Sequence, residues 1–525
     1  PFLLNVRFLN FMVVFLFHED KISNLHRYYN KKVPRFLIVI KSIHMKAEKH
    51  KEKRITPRSE DFSQWYQDIV EIAELAEHSP VRGSMTIKPY GYAIWENIRT
   101  VLDKMFKETG VVNAYFPLLI PEKFLKKEAE HVEGFSPQVA VVTHAGGKKL
   151  DEPLVIRPTS ETIIYEAYSR WVESYRDLPI LINQWANVLR WELRPRLFLR
   201  TTEFLWQEGH TAHRTEEEAE KRTKQMLSVY KNFSENYLGI PVMEGLKTES
   251  EKFAGALRTY SIEAMMQDGK ALQMGTSHNL GQNFSKPFDI KYLDEDNELK
   301  YCWQTSWGVS TRTIGAIIMA HSDDKGLVLP PKIAPVKVVV IPILNKKDDD
   351  KVLSVAEEIA TKISLGLNTD VKVDRKEIRF GEKHYYWEKR GVPVRIEIGL
   401  REIESNIVIA TRRDTGEKIE ISQDDMLDKI REILDDIQNN IFQKALKHKE
   451  ENTVRVSSWD DFKKQIENGK FVLAHWSGES QVEKKINDET GATIRCIPVD
   501  IKKEDGKCVY SGKDSQGLVI FAKSY

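Results

Sequence analysis

Apolar and polar positions change their spacing several times along the chain, and those changes divide it into blocks. Asp61 to Glu77 and Ala93 to Lys107 repeat apolar residues at helical spacing. Thr215 to Tyr237 does the same over a long, charged stretch, so all three are predicted amphipathic helices. Elsewhere the period falls to two. Trp185 to Glu192 places Ala186, Val188, Arg190 and Glu192 on one side of a strand, and Arg200 to His210 places Arg200, Thr202, Phe204, Trp206, Glu208 and His210 on one side of another. Leu193 to Leu199, with Arg194, Pro195 and Arg196, makes a cationic turn that joins them into a hairpin. Lys252 to Gln267 is predicted to be a helix, followed by a strand carrying Gly275 to His278.

The proline-rich run Leu329 to Lys337 reads as a linker. After it come a wholly apolar strand (Val338 to Leu344), a helix (Asp350 to Ile363), short strands at Val371 to Asp374, Val394 to Gly399 and Asn406 to Thr411, and a closing helix (Asp424 to Ile437). Strands alternating with helices predict a small α/β domain. Ile441 to Glu451 is then a charged helical connector to a last, small α+β domain. The expected division is an α+β domain on an antiparallel sheet at 51–330, an α/β domain at 336–440 and a third domain at 441–525.

Length and composition fit several domains with ample core: 525 residues, 41% hydrophobic and 30% charged, with a formal net charge of +1. So small a net charge excludes a bulk polyanion binder, and any RNA contact must come from local basic patches. Cys302, Cys496 and Cys508 are too scattered for a disulfide framework, which points to a reducing compartment. The first 44 residues do not match the rest. Their opening apolar run is interrupted by Asn5, Arg7 and Asn10 and is too short to span a membrane. Met45 opens a segment that reads as a fresh start, so residues 1–50 are expected to be an upstream extension, with a targeting sequence the weaker alternative.

The hairpin carries the candidate chemistry. An arginine grips phosphate, a carboxylate two residues on accepts from an exocyclic amine, and aromatics on the returning strand stack on a purine, so the face suits ATP. A surface hairpin with cross-strand ion pairs accounts for the same residues. Thr159 and Glu161, after the apolar strand Leu154 to Ile156, are either ligand groups or an N-cap and a first-turn acid. Gln273, Thr276, Ser277 and His278 form a polar string between Leu272 and Leu280. His210 and His213 have no convincing third ligand, which argues against zinc there. Lys372, Arg375, Lys376, Arg379, Lys383, Lys389, Arg390 and Arg395 outnumber the acids among them and interleave with Phe380, Tyr385, Tyr386 and Trp387, a pattern that fits an unstacked RNA loop.

Three ordered segments give these options a family. The hairpin with Arg190 and Glu192 resembles motif 2 of class II aminoacyl-tRNA synthetases, Ser306 to Met319 with Arg312 resembles motif 3, and Ile87 to Pro121 around Pro117 resembles motif 1. RPTSET (Arg157 to Thr162), FLWQEGHTAH (Phe204 to His213) and GTSHNLGQNF (Gly275 to Phe284) resemble the prolyl-tRNA synthetases, of the type with an extra C-terminal domain and no large editing insertion. The resemblance covers about residue 54 to Tyr525. It implies a class II catalytic fold, an anticodon-binding domain, and ATP-dependent attachment of L-proline to tRNA(Pro) through a prolyl-adenylate. It also implies Mg2+ with the ATP, a cytoplasmic homodimer, and neither DNA nor membrane as partner.

Residue by residue, the resemblance places Arg190 at the proline carboxylate and α-phosphate and Arg312 on the outer phosphates, as the catalytic pair. Thr159 and Glu161 would take the pyrrolidinium nitrogen, with Phe135, Trp206, His278 and Ser310 around the proline. Glu192, Arg200, Phe204, Gln273 and Thr276 would join Arg190 and Arg312 around ATP. Arg379, Lys383, Arg395 and Arg412 are the anticodon candidates. One departure stands out. Where many relatives hold zinc with four cysteines, this chain has His475-Trp476-Ser477-Gly478 and Lys507-Cys508-Val509-Tyr510-Ser511, so no zinc is expected. A paralogue charging another carrier is a rival reading, which the RNA-binding domain opposes. A non-catalytic relic is a second, and it would be expected to lose Arg190, Glu192 or Arg312.

Overall fold

The computed structural model describes residues 54–129, 139–345 and 348–525. The expectations for residues 1–50 and for Phe135 lie outside the described residues.

The predicted hairpin is longer at its base and opens earlier at its tip than its alternation suggests. Ile180–Leu189 pairs with Glu203–His213 from Ile180↔Ala212 to Leu189↔Glu203, which leaves Arg190 to Thr202 as the connection. Trp303–Ser310, Ala271–Gly281, Arg258–Met265 and Val242–Leu246 follow as successive antiparallel neighbours, and Val112–Asn113 adds a parallel edge beside Ile180–Leu189. The expected helix over Lys252 to Gln267 is therefore corrected: its second half is the Arg258–Met265 strand. Thr259, Ser261 and Glu263 alternate with Tyr260, Ile262 and Ala264, a strand period, and both sides are buried.

The helices pack where their apolar stripes dictate. Glu216–Asn236 begins at Thr215, whose hydroxyl accepts from the Glu218 amide at 3.2 Å, with Glu216, Glu217 and Glu218 at the positive end of the helix dipole. Ala219, Thr223, Met226, Tyr230 and Phe233 form its buried stripe. Tyr230 and Trp307 both meet Phe106 of the Pro89–Lys107 helix, at centroid separations of 6.1 and 6.2 Å. Each fully buried side chain of this size contributes about 1.5–3 kcal/mol. The predicted helix Asp61 to Glu77 ends sooner, as Phe62–Ile72, and the strand Ala76–His78 follows.

The apparent linker is not loose. Leu329, Ile333, Ala334 and Val336 are buried, so this proline-rich run is part of the packing. The α/β domain has strand order Val371–Val373, Val338–Pro342, Val394–Ile398, Ile407–Arg412, Lys418–Ser422, parallel among the first three and antiparallel beyond. The closing helix and the connector are one 26-residue helix, Met426–Glu451. In the last domain Thr493–Pro498 pairs on one side with Gly517–Ala522 and on the other with Val242–Leu246, so a single 11-stranded sheet runs through the first domain and the last. No helix among the described residues is long and apolar enough to cross a membrane.

Candidate active site

The hairpin, Ala271–Gly281 and Trp303–Ser310 together frame a cavity of about 310 Å3. Of the residues singled out in the sequence, Thr159, Glu161, Arg190, Phe204, Trp206, Gln273, Thr276, His278, Ser310 and Arg312 all line it. Segments more than 150 positions apart converge because four strands stand side by side: Ser306 lies opposite both His210 and His278. Gly209 makes this approach possible, since a Cβ there would fall 2.0 Å from the Trp307 indole.

Arg190 follows the last strand residue and turns inward. Its backbone amide donates to the Thr202 carbonyl at 2.8 Å and its Nε to the Pro158 carbonyl at 2.9 Å. The guanidinium carbon lies 5.5 Å from the Phe204 ring centre and 5.6 Å from that of Trp206. Desolvation lowers its pKa, while Glu161 and Glu208 pull the other way, and the group remains a cation. Arg312 opens its helix with its backbone amide on Ser310 Oγ at 3.2 Å and its side chain turned to the Leu199 carbonyl. Desolvation and the neighbouring Arg190 and Arg200 lower its pKa, so the site concentrates positive charge beside a polar cavity.

The opposite wall is acidic. Thr159 donates its hydroxyl to the Glu161 carboxylate, and both are buried at the start of the Glu161–Trp171 helix. Glu208, which sequence reasoning placed on this face without a role, is the hub of a buried network. It accepts from Ser160 Oγ, from Gln184 Nε2 at 2.8 Å and from His210 Nε2 at 3.0 Å. Burial lowers the His210 pKa, but the hydrogen bond and charge of Glu208, helped by Glu161, outweigh it and raise it overall. His278 goes the other way. Burial and the nearby His210 push its pKa down to about 3, and its Nδ1 pairs with Thr259 Oγ1 at 2.9 Å as Phe253 packs on the ring.

Two points differ from these expectations. Glu192 and Arg200 are not among the cavity-lining residues; they pair with each other at 3.3 Å on the connection outside it. Phe253 and Thr259, within the segment expected to be a helix, and Glu251 just before it line the cavity and were missed. In the last domain Cys508 is buried beside Ser511 and Ser477, while His475 bonds Ser515 Oγ at 2.9 Å.

Of the anticodon candidates, only Arg379 is exposed. Lys383 is buried with its ammonium on the Asp374 carbonyl at 2.9 Å, and Arg395 is buried near Glu388 and His384. Arg412 is locked between Asp414 and Asp436.

Residues 143–321 match the tRNA synthetase class II core domain (G, H, P, S and T), 337–433 an anticodon binding domain, and 459–525 the prolyl-tRNA synthetase C-terminal domain. A proline–tRNA ligase of Chlorobium luteolum is 58% identical over 481 residues, covering 90% of this chain and 99% of that protein. Proline–tRNA ligases of Parabacteroides distasonis and Porphyromonas gingivalis are 55% and 54% identical, each over 90% of this chain and 99% of its own length. With more than half of its residues shared over nine-tenths of its length, the chain belongs to the prolyl-tRNA synthetase family of class II aminoacyl-tRNA synthetases.

Proposed function

We propose that this chain joins L-proline to tRNA(Pro) at the expense of ATP, and that both steps run in the cavity between the hairpin and the Ala271–Gly281 strand. The observation that carries this reading is the pairing of Arg190, clasped by Phe204 and Trp206, with the buried Thr159–Glu161 pair across the same cavity. An amino acid needs both poles. Glu161 and Thr159 receive the secondary ammonium, the apolar faces of Trp206 and Phe253 enclose the ring, and the neutral His278 adds no cation beside it. Arg190 receives the carboxylate.

ATP enters as its magnesium complex. Its α-phosphate lies at Arg190, its adenine on Phe204, and its outer phosphates toward Arg312, with Gln273 and Thr276 at its edge. The proline carboxylate attacks the α-phosphorus, a C–O–P link forms, and the bond to the β-phosphate breaks to release pyrophosphate. Negative charge grows on the phosphorus oxygens, and a guanidinium already held in place stabilises it without reorganisation. The terminal ribose hydroxyl of the tRNA then attacks the acyl carbon and AMP leaves. Positioning and charge do the chemistry, so no side chain need become a covalent nucleophile.

Glu192 and Arg200 reach the nucleotide in this scheme by parting from each other. For the tRNA, Arg379 and the exposed Tyr385 are the proposed anticodon contacts, and the buried Lys383, Arg395 and Arg412 shape the surface from within. A homodimer in the cytoplasm is the proposed working form. The test is ATP–pyrophosphate exchange with each amino acid in turn: proline should support it by far the best, and exchange independent of proline would overturn the assignment.

A further inference from the structure

Between Val242–Leu246 and Arg258–Met265 the chain passes through Lys247–Phe253, and this segment has two faces. Glu251 and Phe253 line the active-site cavity, with the Phe253 ring 4.8 Å from that of His278. Thr248 and Ser250, in the turn that leads into them, are held by the last domain. Thr248 Oγ1 donates to Glu483 Oε1 at 3.0 Å and Ser250 Oγ donates to the other oxygen of the same carboxylate. Lys247 is anchored by the same domain, its Nζ donating to the Arg495 carbonyl at 2.7 Å and to Glu263 at 2.8 Å. Arg495 in turn donates to Glu263 at 2.9 and 3.1 Å. Lys247, Thr248, Glu263, Glu483 and Arg495 are all buried.

We propose that the C-terminal domain sets the proline-facing wall of the active site, with Glu483 as the positioning residue that holds Thr248 and Ser250 so that Phe253 stays on His278. The reason lies in the connectivity. Thr248 and Ser250 both take their charged partner, Glu483, from across the domain boundary, at sequence separations of 235 and 233 residues. A carboxylate that takes two hydroxyl donors from alternate residues fixes the rotation of the backbone between and beyond them. Residue 253 is thereby aimed at the cavity. The Lys247–Glu263–Arg495 cluster prevents the base of the segment from sliding. The inference rests on the cavity being the proline site.

The test is the Glu483→Ala variant in pyrophosphate exchange without tRNA. Its KM for proline should rise about tenfold or more, the size expected for losing charge-assisted hydrogen bonds, while the KM for ATP changes less than about twofold. Glu483→Gln, which keeps one acceptor and the shape, should recover most of the loss. Should Glu483→Ala fold poorly, the Thr248→Val, Ser250→Ala double variant removes the same bonds from the other side and should reproduce the proline effect. An unchanged proline KM, or parallel rises in both KM values with no rescue by Gln, would overturn the proposal. Wild-type exchange that ignores proline would instead overturn the functional reading beneath it.

Discussion

The Nε of Arg190 donates to the carbonyl of Pro158 at 2.9 Å, which ties the cation to the turn that carries Thr159 and Glu161. The group proposed to bind the proline carboxylate and the groups proposed to bind its ammonium are thus held at one fixed spacing. Arg190→Ala should cut pyrophosphate exchange by about a hundredfold to a thousandfold, the usual cost of removing a preorganised charge from a developing anion. Arg190→Lys should recover little, because an ammonium cannot bond Pro158 while presenting a planar fork to the cavity. Near wild-type exchange in either variant would remove Arg190 from the mechanism.

Arg312 sits on a different element and should fail differently. Its backbone is pinned to Ser310 Oγ, and its side chain shares the cavity with Arg190 at the start of a buried helix. Arg312→Ala should raise the KM for ATP with a much smaller effect on the KM for proline. Steady-state exchange with each substrate varied in turn separates the two. An unchanged ATP constant would place Arg312 outside the nucleotide site.

The hairpin was legible because its chemistry and its period agreed: aromatic and charged residues recur every second position through Phe204, Trp206 and Glu208. The wall opposite was not. Thr259, Ser261 and Glu263 also recur every second position, but the preceding Lys252 to Leu257 carries no strand pattern, and the stretch as a whole suggests a helix. Their polar face is buried against partners such as Arg495, 232 residues away. A hydrogen-bonded polar strand inside a protein has no solvent-facing side to announce it. For the same reason the sequence separates catalytic and C-terminal domains that the structure joins through Ile497↔Leu246.

Three buried histidines should make the enzyme acid-sensitive. Burial, with Arg222 nearby, holds His213 at a pKa of about 3, and burial with His210 holds His278 at about 3. His321 is held at about 4, where burial and Lys444 outweigh its bond to the Leu238 carbonyl. Each is lowered, so the folded state keeps the neutral form while the unfolded chain takes up a proton below its ordinary pKa of about 6.5. Stability is full above that pH and falls as the pH drops from there toward the folded values, by up to about 1.4 kcal/mol per unit for each histidine. His210, raised instead, has the opposite slope, but only above about pH 6.5, where its stabilisation is lost as the pH rises, so it leaves the acid fall in place. Tm should therefore fall between pH 7 and pH 5, and His321→Gln, which keeps a donor for Leu238, should flatten the fall. An identical slope in that variant would show that the acid sensitivity arises elsewhere.

Fidelity should be limited by the pocket alone. The residues between His213 and Ser306 are taken up by the Glu216–Asn236 helix, by strands of the central sheet and by the short Lys291–Leu293 and Leu299–Tyr301 pair. That leaves this stretch without a separate folded unit for a second hydrolytic centre. A cavity walled by Trp206 and Phe253 excludes side chains larger than proline by contact. Alanine is smaller, and it is rejected only by the contacts it fails to make. Missing methylenes are worth about 1–3 kcal/mol each, so discrimination by binding is modest. The enzyme should therefore form alanyl-tRNA(Pro) slowly and leave it intact once formed. Purified enzyme incubated with pre-charged alanyl-tRNA(Pro) should show the spontaneous rate of deacylation, and hydrolysis well above it would reveal an editing centre elsewhere in the chain.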